Sequence, residues 1–340
     1  MRWLLRFALI TLLAAAGAAA TIAWWLNRPL PLAAAAAEVS IEPGQSPRRI
    51  AELWVEAGVQ APPRLLYEWF RWSGQSRQIR AGSYEVGAGI TPRQLLDKMV
   101  RGDEVLELVR LAEGHTFAQL RAALAAAPSL KPSTQSLSDK QLMAALGEPA
   151  QAPEGRFFPD TYAYSRGVSD LTVLKRAHAA MQRRLVSVWA ERFDGLPLKT
   201  MEEALILASI VEKETGRDGD RANVAGVFIN RLRIGMPLQT DPTVIYGLGA
   251  AFDGNLRKRD LLADTPYNTY IRGGLPPTPI AMPGAASLRA AVRPAKTRAL
   301  YFVARSDGSG GSVFSETLDD HNRAVNQFQR GGKAPPQRAK

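Results

Sequence analysis

The sequence contains no cysteine and only three histidines in 340 residues. Without cysteine there is no disulfide framework, no thiolate nucleophile and no Cys-ligated metal. His115, His178 and His321 are far apart in the chain, and the HExxH motif of zinc proteases does not occur. These absences argue against a metal enzyme, and we expect neither a metal nor any other cofactor.

Acidic residues are in the minority, with 32 Asp and Glu against 43 Lys and Arg, for a formal net charge of +11. An excess of positive charge suits a polyanionic partner such as nucleic acid, an anionic membrane surface or a cell-wall polymer. The basic residues form no dense run, however, and neither zinc-finger spacing nor an aromatic-rich nucleic-acid motif is present. A generally basic surface explains them equally well, and we expect no nucleic-acid partner.

A long apolar run stands at the N-terminus, where residues 7–26 read FALITLLAAAGAAATIAWWL. Roughly 20 such residues, at about 1.5 Å each, span a hydrocarbon core of about 30 Å. Two arginines precede the run and two tryptophans end it, as at the interfaces of a membrane helix. Residues 1–27 are therefore predicted to be a membrane anchor with a cytoplasmic N-terminus, and the rest of the chain to be exported. A cleaved signal peptide is the alternative, because the alanine-rich stretches could host a cleavage site.

Residues 28–38 have the composition of a short linker, and a small α+β subdomain is predicted over residues 39–102. Val39 and Ile41 alternate with polar residues as in a strand, a Pro-Gly turn follows, and Ser-Pro then starts an amphipathic helix. The segment PGQSPRRIAELW resembles LysM-type carbohydrate-binding modules. An accessory α+β domain without any ligand is the alternative.

An aromatic loop, EGRFFPDTYAY, occupies residues 154–164. Aromatic faces stack on sugar rings and carboxylates bind hydroxyl groups, so such a loop can line a sugar site, with Asp160 as a candidate ligand-binding residue. It can equally cap a core. A long helix is predicted to follow, from about residue 170 to residue 193.

The segment LASIVEKET, residues 207–215, lies near the end of another predicted helix. Thr200 and Glu203 have the spacing of a capping box, which places the helix start at Met201, and Gly216 is expected to end the helix. The residues in between leave no polar face. The helix is therefore predicted to be buried nearly all round.

Two carboxylates, Glu212 and Glu214, fall in the last turn of this apolar helix. Burial and the negative end of the helix dipole both raise the pKa of a glutamate. A carboxylic acid that keeps its proton near neutral pH is suited to general-acid catalysis. The alternative is a solvated helix end in which Lys213 and Arg217 pair with the two acids.

Several long motifs follow in a fixed order: FINRLRIGMPLQTDPTVIYG, YNTY, GLPPTPIAMPG and LYFVA. Together with IVEKET they resemble the endolytic murein transglycosylases of the YceG-like family, over most of residues 200–325. The EGRFFPDTY loop is similar to the family's EGxxxPDTY segment. The resemblance implies an α+β protein with three parts: an N-terminal transmembrane helix, the small LysM-like subdomain, and a mixed α+β catalytic domain at 103–330. We expect a disordered tail at 331–340.

The resemblance also implies an activity and a location. Members of the family are anchored in the bacterial inner membrane, face the periplasm and cut nascent peptidoglycan strands internally. The bond between N-acetylmuramic acid and N-acetylglucosamine breaks, and the muramic C6 hydroxyl closes onto C1 to leave a 1,6-anhydro end. Such cleavage would end glycan growth, which implies peptidoglycan synthases as partners.

The matching motif places the catalytic acid/base on Glu212, and Glu214 is then a nearby structural or tuning acid. Helical spacing alone does not separate the two. The candidates for holding the glycan are Gln239, Thr240, Asp241, Tyr267, Asn268, Thr269, Tyr270 and Asp160. For any one of them, a loop-shaping hydrogen bond is an equally good explanation.

Two other functional classes stay open. An ordinary glycoside hydrolase would use Glu212 with Asp241 or Glu214 as a second carboxylate, and would leave reducing ends. A membrane-anchored scaffold would bind the cell wall without cleaving it.

Overall fold

The structure is a computed structural model that describes residues 2–214, 217–306 and 311–329. The predicted helix stop at Gly216 and the predicted disordered tail at 331–340 lie outside the described residues. The fold is a mixture of helices and small two-stranded sheets, so the predicted α+β class is confirmed. Two compact units divide the chain. The first comprises Met1–Leu108, Pro128–Lys131 and Ala163–Val168, and the second Val109–Ala127, Pro132–Tyr162 and Ser169–Lys340.

The first unit begins with the apolar helix and continues through a strand–helix–helix–strand arrangement. Its elements are α1 (Arg2–Asn27), β1 (Ala36–Ile41), α2 (Pro47–Glu56), α3 (Pro63–Trp72), a 3-10 turn (Ser76–Gln78), β2 (Gly82–Gly87) and α4 (Pro92–Arg101). Strands β1 and β2 pair antiparallel, with Ala36 opposite Gly87 and Ile41 opposite Gly82. The predicted subdomain, residues 39–102, lies inside this unit.

The core of the first unit also includes residues from the end of α1 and from the predicted linker. Leu26 and Leu30 are buried, and Trp25 packs against the cluster that contains Trp54, Phe70 and other apolar side chains. Strand β1 begins at Ala36, so the end of the stretch interpreted as linker is already part of the sheet.

The remaining elements are β3 (Leu106–Arg110), α5 (Phe117–Ala125), α6 (Asp139–Ala145), β4 (Thr161–Ser165), α7 (Asp170–Ala190), α8 (Met201–Glu214), α9 (Asp218–Arg233), α10 (Asp241–Leu248), a 3-10 turn (Gly249–Ala251), α11 (Lys258–Leu262), α12 (Ala285–Val292), β5 (Tyr301–Ala304), β6 (Ser312–Ser315) and α13 (Leu318–Phe328). Strands β3 and β4 form one two-stranded sheet, and β5 and β6 form another. Helix α7 stops three residues before the predicted end, because the Phe193 N–H donates to the Val292 carbonyl at 3.0 Å instead of continuing the helix.

Helix α8 is the centre of the second unit. Every residue from Ala204 to Val211 is buried, in contact with α7, α9, α10 and α12, so the predicted all-round burial is confirmed. Its start at Met201 is confirmed as well, and Thr200 Oγ1 accepts the Glu203 N–H at 3.1 Å. The other half of the predicted capping box is wrong: the Glu203 carboxylate accepts the N–H of Lys199, one residue before the cap.

Candidate active site at the end of helix α8

The two glutamates of the last turn of α8 have separate surroundings. Residues two apart on a helix do not face each other. The contacts of Glu212 come from α9 and from the start of α12, whereas those of Glu214 come from the start of α10. The two carboxylates therefore contact different elements of the second unit.

Glu212 is held by a backbone N–H and an arginine. The N–H of Gly284 donates to Glu212 Oε2 at 2.9 Å, and Arg221 Nη2 lies 3.6 Å from Oε1. Both side chains are nearly buried, with exposed fractions of 7% for Glu212 and 8% for Arg221. Lys213, which the alternative of a solvated helix end would pair with the acids, donates to the Gly114 carbonyl at 3.3 Å. Glu212 thus ties α8 to α9 and α12 through an ion pair and a hydrogen bond.

Glu113 is a third carboxylate next to this pair, and no sequence motif singled it out. A Cβ at Gly284 would lie 1.9 Å from Glu113 Oε1, so this carboxylate occupies the space that a side chain would need. Burial and then the charge of Glu212 raise the pKa of Glu113. Backbone bonds fix its turn: the Gly114 N–H donates to Met282 O at 2.9 Å, and the Met282 N–H donates to His115 O at 2.8 Å.

The carboxyl group of Glu214 is desolvated. Burial raises its pKa, although the hydroxyl of Thr240 donates a hydrogen bond to Oε1 and lowers the pKa. The negative charge of Asp241 raises the pKa further, and the positive charge of Arg231 lowers it. Glu214 therefore has the property expected of a general acid.

Glu214 also lines a cavity of about 540 Å³. The polar and aromatic residues around this cavity include Gln239, Asp241 and Tyr270 from α10 and the loops beside it, Arg231 from α9, Tyr301 from β5 and His321 from α13. A concave site with a few converging polar groups and a perturbed carboxylic acid is a good candidate for a binding and catalytic site. Glu212 and Glu113 are not among the residues that line it.

Three of the predicted glycan-binding residues, Gln239, Asp241 and Tyr270, line this cavity. Gln239 has an unusual backbone conformation, with a φ of 50°, and its N–H donates to Thr269 O at 3.0 Å. The Tyr270 hydroxyl donates to Asp241 Oδ1 at 2.6 Å. The structure thus brings together residues from two separate sequence motifs.

Three other predicted residues are buried and bonded within the chain. Asn268 is fully buried, and its Nδ2 contacts the carbonyls of residues 260, 261 and 263, the shortest contact being 2.7 Å to Ala263 O. Thr269 Oγ1 accepts the Thr240 N–H at 3.1 Å and lies 2.9 Å from Thr243 Oγ1. Thr240 donates to Glu214. These side chains shape the loops that carry the cavity residues.

Tyr267 and Asp160 are not brought to the cavity. The Tyr267 hydroxyl lies 2.8 Å from Thr278 Oγ1, and its ring meets the Tyr246 ring edge-on at a centroid distance of 4.9 Å. Asp160 is exposed and accepts the Thr161 N–H at 2.7 Å, as a turn residue does.

A further buried acid, Glu154, lies at the start of the aromatic loop. It is 6% exposed and accepts the Phe117 N–H, at 2.9 Å and 3.1 Å, and the Tyr246 hydroxyl at 3.1 Å. Burial nevertheless raises its pKa to about 7. Since Phe157 and Phe158 of the same loop are also buried, this part of the loop caps the core. Glu154 shows that a raised pKa alone does not identify a catalytic acid in this chain.

Comparison with known proteins agrees with the motifs and the fold. The sequence profile described as the YceG-like family matches residues 39–327. A protein of Bacillus subtilis (strain 168) named endolytic murein transglycosylase is 31% identical over 314 residues, which cover 85% of this chain and 84% of that protein. The chain belongs to the YceG-like family.

Other relatives of this YceG-like chain cover it to different extents. A Streptococcus pneumoniae (strain ATCC BAA-255 / R6) protein, also named endolytic murein transglycosylase, is 34% identical over 177 residues, 51% of this chain and 31% of that protein. A crystal structure of a YceG-like protein from Listeria monocytogenes is similar with a TM-score of 0.54 and 29% identity, covering 85% of this chain and 98% of that one. Among the residues described in the present structure, no group of three or more His, Cys, Asp and Glu side chains could hold a metal ion.

Proposed function

We propose that this protein is an endolytic lytic transglycosylase of peptidoglycan. It cleaves the bond between N-acetylmuramic acid and N-acetylglucosamine within nascent strands, leaves 1,6-anhydro ends and so ends glycan growth. Membership of the YceG-like family and the names of its relatives support the reaction class. The observation that carries the proposal is a buried carboxylic acid, Glu214, in a cavity lined by polar and aromatic side chains.

Within this proposal the acid/base is Glu214, not Glu212 as the motif alone suggested. The catalytic acid must carry a proton and must reach the substrate. Glu214 has a raised pKa and lines the cavity, whereas Glu212 is paired with Arg221 and bonded to the Gly284 N–H. Both carboxylate oxygens of Glu212 are thus engaged by groups of the chain itself, and Glu212 is not among the residues that line the cavity, which suits a structural role.

One carboxyl group is enough for this chemistry. Glu214 donates its proton to the glycosidic oxygen as the bond from that oxygen to the muramic C1 breaks. The C6 hydroxyl of the same sugar then attacks C1, and its proton passes to Glu214, which is restored. No water is consumed, and the nucleophile is held close because it belongs to the substrate.

The cavity residues provide contacts for the glycan in this scheme. Gln239 binds sugar hydroxyl or acetamido groups, and the rings of Tyr270 and Tyr301 provide apolar faces. Thr240, Asn268 and Thr269 act indirectly, by holding the loops. Tyr267 and Asp160 have structural contacts of their own and are not needed for binding.

We place the protein in the bacterial cytoplasmic membrane, with helix α1 as anchor and the chain after it on the periplasmic side. In the part of the chain that the structure describes, one helix, Arg6–Asn27, is long and apolar enough to cross a membrane, and its most apolar 18-residue stretch is not buried within the protein. The basic residues before it favour a cytoplasmic N-terminus. Cleavage at the later alanine-rich stretch, residues 33–37, would remove both Leu26 and Leu30 from the core of the first unit, which argues against cleavage there.

The first unit fits a LysM-like role. Its β1–α2–α3–β2 order, with the two strands antiparallel, supports the resemblance of the PGQSPRRIAELW segment to LysM modules. A glycan-binding function for it, and peptidoglycan synthases as partners, belong to the same proposal. Cross-linking in cells, with the anchor intact, is the way to identify those synthases.

Mass spectrometry of the products tests the reaction. Full-length protein in detergent micelles is incubated with purified uncrosslinked glycan strands, alongside Glu214→Gln and Glu212→Gln. Anhydro-ended fragments that disappear only with Glu214→Gln are the expected result. Loss with Glu212→Gln and retention with Glu214→Gln would move the acid to the other carboxylate.

The hydrolase remains the second candidate because a second carboxylate, Asp241, lines the same cavity as Glu214. Fragments with reducing ends in the same experiment would establish hydrolysis and reject the lytic reaction. Binding of the strands without cleavage by the wild type would establish the scaffold.

A further inference from the structure

Asp241 and Tyr270 form a hydrogen-bonded pair beside the proposed acid. The hydroxyl of Tyr270 donates to Asp241 Oδ1 at 2.6 Å, and both residues line the Glu214 cavity. Asp241 is the first residue of α10 and directly follows Thr240, whose hydroxyl donates to Glu214. Among the described contacts, the bond from Thr240 is the only side-chain hydrogen bond that Glu214 receives. Asp241 is the next residue in the chain after this donor.

The arrangement of this pair is fixed by buried contacts. The segment 239–243 and the segment 268–270 are joined by the Gln239 N–H to Thr269 O bond and by the bonds of Thr269 Oγ1 to the Thr240 N–H and to Thr243. Asn268 is buried and its Oδ1 accepts the Tyr270 N–H at 2.9 Å. These contacts hold the YNTY and QTDPT motifs together, so that the first orients Tyr270 and the second orients Asp241.

Charged and titratable groups face Glu214 from several elements. Arg231 comes from α9, Asp241 from the start of α10, Tyr270 from the loop before residue 271, Tyr301 from β5 and His321 from α13. Burial and then the charge of Arg231 lower the pKa of His321. Arg231 and Asp241 act on Glu214 in opposite directions, Arg231 favouring its ionised form and Asp241 its protonated form.

We propose that Asp241, oriented by Tyr270, is a positioning residue that keeps the catalytic proton on Glu214 until the substrate takes it. This inference rests on the proposed function. It gives Asp241 a role other than binding the glycan or activating water. A negative charge held at a fixed place near Glu214 disfavours a second negative charge there. The hydroxyl of Tyr270 keeps the carboxylate at that place, since a hydrogen bond to an ionised acceptor is short and strong.

The test is the pH dependence of kcat/KM for glycan cleavage by the full-length protein in detergent micelles. Glu214 must start protonated, so activity is lost as the pH rises through the pKa of Glu214. With Asp241→Asn the charge disappears, and this alkaline limb moves to lower pH. Because Asp241 is exposed as well as facing the cavity, we expect a shift of about one pH unit or less, that is, up to about a tenfold loss on the limb.

Three matched variants sharpen this test. Asp241→Glu keeps the charge and should keep the limb near its wild-type position. Tyr270→Phe keeps the charge of Asp241 but removes the hydrogen bond that orients its carboxylate. We therefore expect kcat to fall by about threefold to tenfold, with a smaller shift of the alkaline limb. Glu191→Gln removes a negative charge from an exposed pair with Arg293, at the far end of α12. It should change neither kcat nor the position of the alkaline limb.

Each outcome bears on the inference. A limb that does not move in Asp241→Asn, with KM raised instead, would make Asp241 a glycan-binding residue and overturn the proposal. Loss of cleavage at every pH in a folded Asp241→Asn protein, with reducing ends from the wild type, would make it a hydrolytic base. Absence of cleavage by the wild type at any pH would reject the proposed function itself. A limb shift that shrinks at high salt is the expected electrostatic signature.

Discussion

Glu212 and Glu214 are separated by one residue, yet they belong to different parts of the second unit. Glu212 faces Arg221, the Gly284 N–H and Glu113, in a place where charge is paired and a backbone donor is satisfied. Glu214 faces Thr240, Asp241 and a cavity, and burial raises its pKa. The comparison teaches that the neighbours brought by other elements, and not the position on the helix, decide which of two similar acids can donate a proton.

The largest effect is expected from exchanging the acids for amides. Glu214→Gln cannot donate a proton, and we expect kcat to fall by about a thousandfold, within the range that general acid–base catalysis contributes. Glu212→Gln should keep at least a tenth of the wild-type rate. Initial rates on glycan strands, with folding verified by circular dichroism, measure both. Equal losses of kcat in the two variants would contradict the assignment of the catalytic acid to Glu214 alone.

Glu154 is a useful third acid to compare with Glu212 and Glu214, because it is buried and has a raised pKa but does not line the cavity. Its pKa is about 7 in the folded protein and about 4.5 in the unfolded chain, so the native state binds this proton more tightly. The free energy of unfolding should therefore fall as the pH rises from about 4.5 through 7, by on the order of 3 kcal/mol from this group.

Chemical denaturation at pH 5 and pH 8 measures this effect. Glu154→Gln carries no proton to lose, so its stability should fall less between the two pH values than that of the wild type, while glycan cleavage persists. The same pH dependence in both proteins would contradict the raised pKa. Loss of cleavage in a folded Glu154→Gln variant would place this acid in the chemistry.

The structural role of Glu212 predicts a loss of stability rather than of rate. Removing its charge takes one acidic partner from the buried Arg221, which also contacts the exposed Asp218, and we expect the free energy of unfolding to fall by about 2 kcal/mol. Glu214→Gln replaces a desolvated acid with a neutral group and should cost nothing at pH 8. Denaturation of the two variants side by side checks this, and a larger loss for Glu214→Gln would reverse the assignment of roles.

The smallest effect concerns Gly284. Its φ of −78° and ψ of 175° are open to any residue, but the side chain of Glu113 occupies the place that a Cβ would take. Gly284→Ala should lower the free energy of unfolding by about 1 kcal/mol, and Glu113→Ala should restore part of that loss in the double variant. Additive effects would show that the two residues do not compete for space.

Much of the fold followed from local patterns. The capped start of α8 at Met201 and its burial on all sides were predictable, because a Thr at the cap and an apolar run without a polar face act over neighbouring residues. The early end of α7 was not, since a carbonyl of α12, about 100 residues later, captures the Phe193 N–H. Tertiary bonds of this kind leave no local signal.

The candidate site divides in the same way. Gln239, Asp241 and Tyr270 were predicted as ligand-binding residues and do line the cavity, whereas Asn268 and Thr269 from the same motif are buried and hold the loop. Side chains two residues apart in an irregular loop have no fixed periodicity, so the sequence could not sort them. Arg231 and Tyr301 lay within the quoted motifs, but nothing in the sequence indicated that they meet at one cavity.

The amino-acid sequence alone determined the apolar helix at the N-terminus, the α+β class, the YceG-like motifs and the presence of two acids at the end of a buried helix. These depend on composition, periodicity and short spacings. Only the tertiary structure decided that one acid is bonded to the Gly284 N–H and lies beside Arg221 while the other lines a cavity. The reason is physical: the ionisation of a carboxyl group depends on charges and solvent within a few ångströms, and in this chain those neighbours come from residues up to about 100 positions away.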